Sequence, residues 1–187
     1  MSLSSLVLLI IPLVIIAILI KITSKGKVIF CQERIGKDCK IFTIYKFRTM
    51  YEDTPDIATH LLQNAEMLIT PIGKFLRRTS LDELPQLLNI LRGDMSVVGP
   101  RPALWNQDDL IAEREKYGAN SILPGLTGLA QISGRDELST EMKAKYDGEY
   151  KEKMGLFFDL KIIFLTAKIV LTGRGIFEGK NKHREVS

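Results

Sequence analysis

The chain has 187 residues, with 26 Lys and Arg against 22 Asp and Glu, a net charge of +4 and a pI of about 9.0. That length suits one domain with an appendage, and the basic balance suits anionic partners: nucleic acid, lipid headgroups or phosphate-bearing substrates. Two cysteines, Cys31 and Cys39, exclude a disulfide framework and cannot by themselves close a zinc site, so they read as reduced thiols in a cytosolic setting.

The first element is an apolar run. Leu6 to Ile20 is fifteen residues without a polar side chain. As a helix it is roughly 22 Å long, against a hydrocarbon core of about 30 Å, and only with its flanks does it just span. No basic residue precedes the run and no small-residue cleavage site follows, so a secretory signal fits poorly. Pro12 sits mid-run. It lacks an N–H and its ring clashes with the carbonyl of Leu8, so a kink is expected there. Two paths remain open, a plain anchor and a short kinked helix that returns to its own side. Lys21, Lys25 and Lys27 follow at once and belong on the cytosolic side, near anionic headgroups.

Residues 27–50 predict two strands, rich in β-branched and aromatic side chains, with the turn at Gly36-Lys37-Asp38. Residues 57–78 predict helix, interrupted at Thr70-Pro71-Ile72-Gly73. Leu81, Leu84, Leu87, Leu88 and Leu91 share one helical face over 81–92, a stretch ended by Gly93. VVGPRPA (97–103) is too proline-rich for a helix. Residues 107–117 predict a polar helix, 121–135 a glycine-rich loop, and 139–154 a charged helix. The helix over 156–173 is apolar around most of its circumference, which suits a core helix or one lying in a membrane interface with its lysines reaching to headgroups. The expected layout is a membrane helix at 1–22 kinked at Pro12, a domain at 23–179, and a disordered tail at 180–187.

Asp82 and Glu83 in SLDELPQL are the first candidates for chemistry. Ser80 and Glu83 fit a capping box, in which Glu83 caps and Asp82 complements the helix dipole. Pro85 spoils that simple reading, because it cannot donate to the carbonyl of Leu81. The first turn must be distorted, or the regular helix begins near Pro85. Adjacent residues on a helix point about 100° apart, so the two carboxylates are expected to divide their labour. A carboxylate near phosphate needs compensation, for which Arg77, Arg78, Arg101 and a divalent cation are candidates. In GPRP (99–102), Pro102 biases Arg101 to an extended backbone that presents a planar fork suited to phosphate. Lys46 lies between aromatics in a predicted strand. The glycines of PGLTGLAQISGR offer close backbone approach to a nucleotide or diphosphate. Thr127 in that loop joins the phosphate-binding candidates, and Arg135 is a further phosphate contact or a structural salt bridge.

Three segments in order, VIFCQERIGKDCKIFTIYKFRTM (28–50), SLDELPQLLNILRGDMSVVGPRPAL (80–104) and PGLTGLAQISGRDELS (124–139), resemble the monotopic phosphoglycosyl transferases, bacterial enzymes that begin polyprenol-linked glycan assembly. The resemblance covers residues 20–175. No multi-span region precedes the motifs, so it points to the small, core-only members.

The resemblance implies an α+β fold: a mostly helical cytosolic core with a small β-hairpin, a re-entrant N-terminal membrane helix and interfacial amphipathic helices. It implies transfer of a sugar 1-phosphate from a UDP-sugar to undecaprenyl phosphate, releasing UMP, on the cytosolic face of the bacterial inner membrane. Asp82 matches the nucleophile that forms an acyl-phosphate-linked phosphosugar and shares Mg²⁺ with the diphosphate, and Glu83 its partner carboxylate. Lys46, Arg77 and Arg101 match basic active-site positions, while Arg135 and Asp159 match positions with mainly structural roles. The partners implied are the UDP-sugar, undecaprenyl phosphate, the bilayer and downstream glycosyltransferases, with no nucleic acid. GRDELS resembles members that use N-acetylated, including 6-deoxy, amino sugars. The family's usual Ser-Pro helix break is Ile11-Pro12 here, so the serine that would bond back to a helix carbonyl is absent. Two rivals stand beside this reading: a membrane-anchored module that only binds a phospholigand, and the same transfer by direct attack of the lipid phosphate with Asp82 as a metal ligand.

Overall fold

The computed structural model describes residues 3–54, 65–134 and 137–172. The expected α+β class is observed. Helix α1 (Leu3–Thr23) contains Pro12, with helical geometry on both sides of it. Strands β1 (Ile29–Ile35) and β2 (Ile41–Phe47) form the expected antiparallel hairpin, with Ile29 opposite Phe47 and Ile35 opposite Ile41. The connection is longer than the predicted three-residue turn. It carries Asp38 and Cys39 in the left-handed region and closes with the Gly36 N–H donating to the carbonyl of Lys40 at 2.8 Å.

Helix α2 (Ala65–Leu68) and helix α3 (Pro71–Thr79) meet at the predicted interruption. The earlier part of the helix expected over 57–78 lies outside the described residues. Thr70 caps α3: its hydroxyl accepts from the Gly73 N–H at 3.0 Å, and Pro71 occupies the first helical position, where its missing N–H costs nothing. Thr70 also docks the helix, because its N–H (2.9 Å) and hydroxyl (3.2 Å) both donate to the carbonyl of Thr49.

The helical stretch expected over 81–92, with the first turn distorted or the regular helix beginning near Pro85, is a 3-10 helix at Leu81–Gln86 followed by α4 (Leu87–Arg92), ended by Gly93 at φ 83°. The reason is local. Ser80 turns left-handed (φ 55°) at the end of α3, and Pro85 has no N–H to extend an α-helical ladder.

Two segments expected to be irregular contain short strands. Strand β3 (Ser96–Val98) pairs in parallel with β5 (Gly125–Thr127), and β4 (Ala103–Leu104) pairs with β1. Two- and three-residue strands have no readable period, and it is distant partners that define them. Helices α5 (Asp108–Lys116), α6 (Leu129–Ile132), α7 (Thr140–Lys153) and α8 (Leu156–Thr172) complete the chain.

Two apolar clusters organise these elements. In the first, Ile16 and Ile20 of α1 pack with Phe47 and Leu76, and Leu81 and Leu84 of the 3-10 helix rest against them. In the second, Ile162 of α8 packs with Val98 and Tyr150, and the Tyr150 hydroxyl donates to the Asp159 carboxylate at 2.9 Å. The opposite faces stay bare. Ile11, Ile15, Ile18 and Ile22 of α1, and Phe157, Phe164 and Leu171 of α8, are large apolar side chains left exposed. Among the described residues no helix is long and apolar enough to cross a membrane.

Gly73 carries the contact between α3 and the strand segment. A Cβ there would stand 2.0 Å from the Thr49 carbonyl oxygen, which is rigid backbone. An exposed helical glycine gains stability on change to alanine. Here Gly73→Ala is expected to lose about 1–3 kcal/mol by overpacking, a fall of roughly 2–10 °C in melting temperature. Thermal unfolding of the two proteins checks the sign.

Candidate active site

The 3-10 helix places two carboxylates above the hairpin. The capping box predicted for Ser80 and Glu83 does not form: Ser80 makes no side-chain cap, and only its backbone carbonyl accepts, from the Glu83 N–H at 3.2 Å. Glu83 is spent elsewhere. Its Oε1 accepts from Lys46 Nζ at 2.8 Å and lies 3.4 Å from both terminal nitrogens of Arg101. Lys46 and Glu83 are each 16% exposed, so this pair is shielded, whereas Arg101 is 46% exposed and reaches solvent. Burial holds the Lys46 ammonium below its ordinary pKa, with Glu83 acting against that shift.

Asp82 is half-buried, and among the described residues no side chain donates a hydrogen bond to it. Burial first, and then the charge of Glu83, push its pKa from the ordinary 3.8 up to about 6, against the pull of Lys46, Arg77 and Arg101. Four of the predicted residues (Lys46, Arg77, Arg101 and Glu83) therefore surround Asp82 electrostatically. Arg78, the neighbour of Arg77 in sequence, is exposed. Arg77 is oriented by its Nε–H donating to the Thr49 hydroxyl at 2.9 Å, so the docking of α3 also aims this guanidinium.

The GPRP turn is held on three sides. Arg114 donates to the carbonyl of Arg101 at 2.9 Å, and Arg34 to the carbonyl of Pro102 at 3.1 Å. Arg114 is itself fixed by Asp147 through Nε (2.8 Å) and Nη2 (2.7 Å), a pair only 7% and 1% exposed. The third side is the strand pairing of β3 with β5. A Cβ at Gly125 or Gly128 would stand 2.1 Å from backbone atoms of Gly99. These glycines, expected to admit a ligand, admit the neighbouring strand instead. Thr127 lies in that seam, buried, with its hydroxyl bonded to that of Thr166 at 2.7 Å. It joins the sheet to α8. Arg135 lies outside the described residues.

Sequence reasoning missed Asn89, Arg34, Arg114 and Asp147. Asn89 is fully buried. Its amide mimics a strand edge on β2, accepting from the Tyr45 N–H at 3.2 Å and donating to the carbonyl of Thr43 at 2.7 Å. It thereby fixes α4, and the 3-10 helix before it, over Lys46. An asparagine amid the leucines of LLNIL was the available clue, since a buried amide needs partners. Arg114 and Asp147 gave no clue, each lying in a helix rich in charge.

The family described as bacterial sugar transferase matches residues 1–173. The chain is 46% identical over 149 residues to an uncharacterized sugar transferase, EpsL, of Bacillus subtilis, covering 80% of this chain and 72% of that one. It is 42% identical over 176 residues to an undecaprenyl-phosphate glucose phosphotransferase of Komagataeibacter xylinus, covering 88% of this chain and 33% of that one. It is likewise 42% identical over 167 residues to the galactosyl transferase CpsE of Streptococcus agalactiae, covering 80% of this chain and 36% of that one. The chain thus spans about a third of the length of the last two. With a family match running from the apolar helix through α8, this chain belongs to the bacterial sugar transferase family.

Proposed function

We propose that the chain is a phosphoglycosyl transferase that moves a sugar 1-phosphate from a UDP-sugar to undecaprenyl phosphate, releasing UMP. The observation that carries this reading is the contrast between the two carboxylates. Glu83 is paired with Lys46 and Arg101, while among the described residues no side chain donates to Asp82 inside the same cationic cluster. A module that only bound anions would gain nothing from a half-buried carboxylate there.

In the first step an Asp82 oxygen attacks the sugar-proximal phosphorus. The bond from that phosphorus to the bridging oxygen breaks, and UMP leaves with the electron pair. Asp82 then carries the phosphosugar as an acyl phosphate. In the second step an oxygen of the lipid phosphate attacks the same phosphorus, the bond to Asp82 breaks, and the carboxylate is regenerated. Lys46, Arg77 and Arg101 offset the charge on the transferring group. Glu83 keeps Lys46 and Arg101 facing that place before substrate arrives. Among the described residues no three acidic, histidine or cysteine side chains converge on a metal site. Asp82, to which no described side chain donates, fits Mg²⁺ held mainly by water and phosphate oxygens, which would neutralise charge on the diphosphate.

The bare apolar faces of α1 and α8 support a place at the inner-membrane surface, where the acceptor lipid resides. α1 enters the bilayer and returns, and α8 lies along the interface. Because Ile16 and Ile20 pack under Leu81 and Leu84, the membrane element and the nucleophile share one core, so the site is held close to the lipid surface.

Asp82→Asn is expected to lower UMP release by roughly 10³-fold or more while UDP-sugar binding persists, whereas unchanged release would remove Asp82 from the chemistry. Release by the unmodified chain should fall about tenfold per pH unit below about 6, where Asp82 takes up its proton. A profile flat down to pH 5 contradicts this. Stability should move the opposite way to activity. Between the ordinary value near 3.8 and about 6, the folded chain binds the proton that the unfolded chain has lost, so stability falls as pH rises through that window. Asp82→Asn removes this loss. It is expected to raise the melting temperature at pH 7 by about 2–4 °C, a gain on the order of 1 kcal/mol that disappears near pH 4.

A further inference from the structure

Arg48 and Thr49 directly follow β2, the strand that carries Lys46, and reach two different helices. Both are buried. The Arg48 backbone N–H donates to the carbonyl of Val28 at 2.9 Å. Its Nη2 donates to the hydroxyl (2.7 Å) and the carbonyl (3.1 Å) of Ser24, just past the end of α1. The Ser24 hydroxyl in turn donates to the carbonyl of Ile20 at 3.2 Å, so the guanidinium closes the last turn of α1. The chain then passes over it at Gly26 (φ 106°), where a Cβ would stand 2.1 Å from Arg48 Nη1. Nε and Nη1 of Arg48 are sealed from solvent with no partner among the described residues. Sealed donors without partners cost stability, so this arginine is a poor device for stability alone.

Thr49 reaches the other helix. Its carbonyl takes both donors of Thr70, Met50 bridges Ile69, and the Tyr51 N–H donates to the carbonyl of Leu68 at 3.0 Å, so the chain after Arg48 carries the start of α3. The Thr49 hydroxyl accepts from Arg77 Nε at 2.9 Å. Resting on the transferase reading above, we infer that Arg48 and Thr49 are positioning residues of the transfer, which tie the end of α1 to the Arg77 guanidinium and hold it toward the transferring phosphate. A grip on Nε fixes the plane of the guanidinium, and that plane decides whether its fork meets phosphate oxygens two at a time. Thr49 can aim Arg77 only while its own backbone is held, and Arg48 fastens that backbone to α1.

The test uses the full chain in membranes with undecaprenyl phosphate and a panel of UDP-sugars, reads UMP release, and measures the melting temperature beside it. Thr49→Val keeps the shape and the docking carbonyl and removes only the hydroxyl. It is expected to lower kcat about tenfold with KM changed less than about twofold, because Arg77 acts on charge that develops during transfer. Thr49→Ser, which keeps the hydroxyl, should return kcat to within about twofold of the unmodified chain. In an Arg77→Ala background Thr49→Val should cost less than about twofold, since the hydroxyl then has nothing to aim. Arg48→Met keeps the stem and loses the grip on Ser24. It should lower kcat about threefold or more, lose that effect in the Arg77→Ala background, and leave the melting temperature level or higher. An unchanged kcat in folded Thr49→Val overturns the inference. So does a loss of the same size with and without Arg77, which marks a purely structural role. An Arg48→Met chain that does not fold overturns the part of Arg48, and the Thr49 variants still decide the part of Thr49. If the unmodified chain releases UMP from none of the UDP-sugars, the transferase reading fails first and this one with it.

Discussion

The structure turns on one electrostatic constraint: two adjacent carboxylates must enter a partly desolvated place without cancelling its positive charge. Burial alone disfavours their charged forms, and each disfavours the other's. The chain resolves this unequally. Glu83 takes the close ion pair with Lys46 and the longer contact with Arg101, while Asp82, to which no described side chain donates, feels the field of Lys46, Arg77 and Arg101 and keeps a raised pKa of about 6. A carboxylate bound by several donors would be a poor nucleophile. One that is ionised near neutral pH, with no described side chain donating to it, is suited to attack phosphorus.

Much of the remaining fold serves to hold that inequality in place. The left-handed Ser80 and the Pro85 inside the 3-10 turn keep the segment from becoming a regular helix. Asn89 fastens it to β2, which carries Lys46. The docking of Thr70 and Gly73 onto Thr49 sets α3, from which Arg77 reaches the Thr49 hydroxyl. The buried Asp147–Arg114 pair grips the carbonyl of Arg101. Such a pair need not add net stability against an apolar replacement, so its use here is orientational. Each cation comes from a different element, and each element is fixed by contacts remote in sequence.

That distribution explains what the sequence made legible. The hairpin, α3 with its Thr70-Pro71 start, α5, α7 and α8 follow from periodicity and local capping, which a single segment displays. Asp82, Lys46, Arg77 and Arg101, which the structure brings together, stand out in the sequence as charged residues among prolines and aromatics, in motifs with a family resemblance. The pairing of β3 with β5 was not legible, because two three-residue strands have no pattern of their own. For the same reason the glycines at 125 and 128 were read as room for a ligand, when they make room for Gly99. The capping box was a misreading of a different kind. Ser80 and Glu83 have the right spacing, but Lys46 across the hairpin offers Glu83 a charged partner that a backbone N–H cannot match.

The central claim is that Asp82 bonds covalently to the phosphosugar. It is tested most directly by incubating the full chain in membranes with its UDP-sugar and Mg²⁺ in the absence of lipid phosphate, quenching, and weighing the peptide that contains Asp82. The account predicts that this peptide gains the mass of a sugar phosphate less one water, and that undecaprenyl phosphate added before the quench removes the gain. An unmodified peptide from protein that turns over once the lipid is supplied would contradict it, and would favour direct attack of the lipid phosphate on the UDP-sugar.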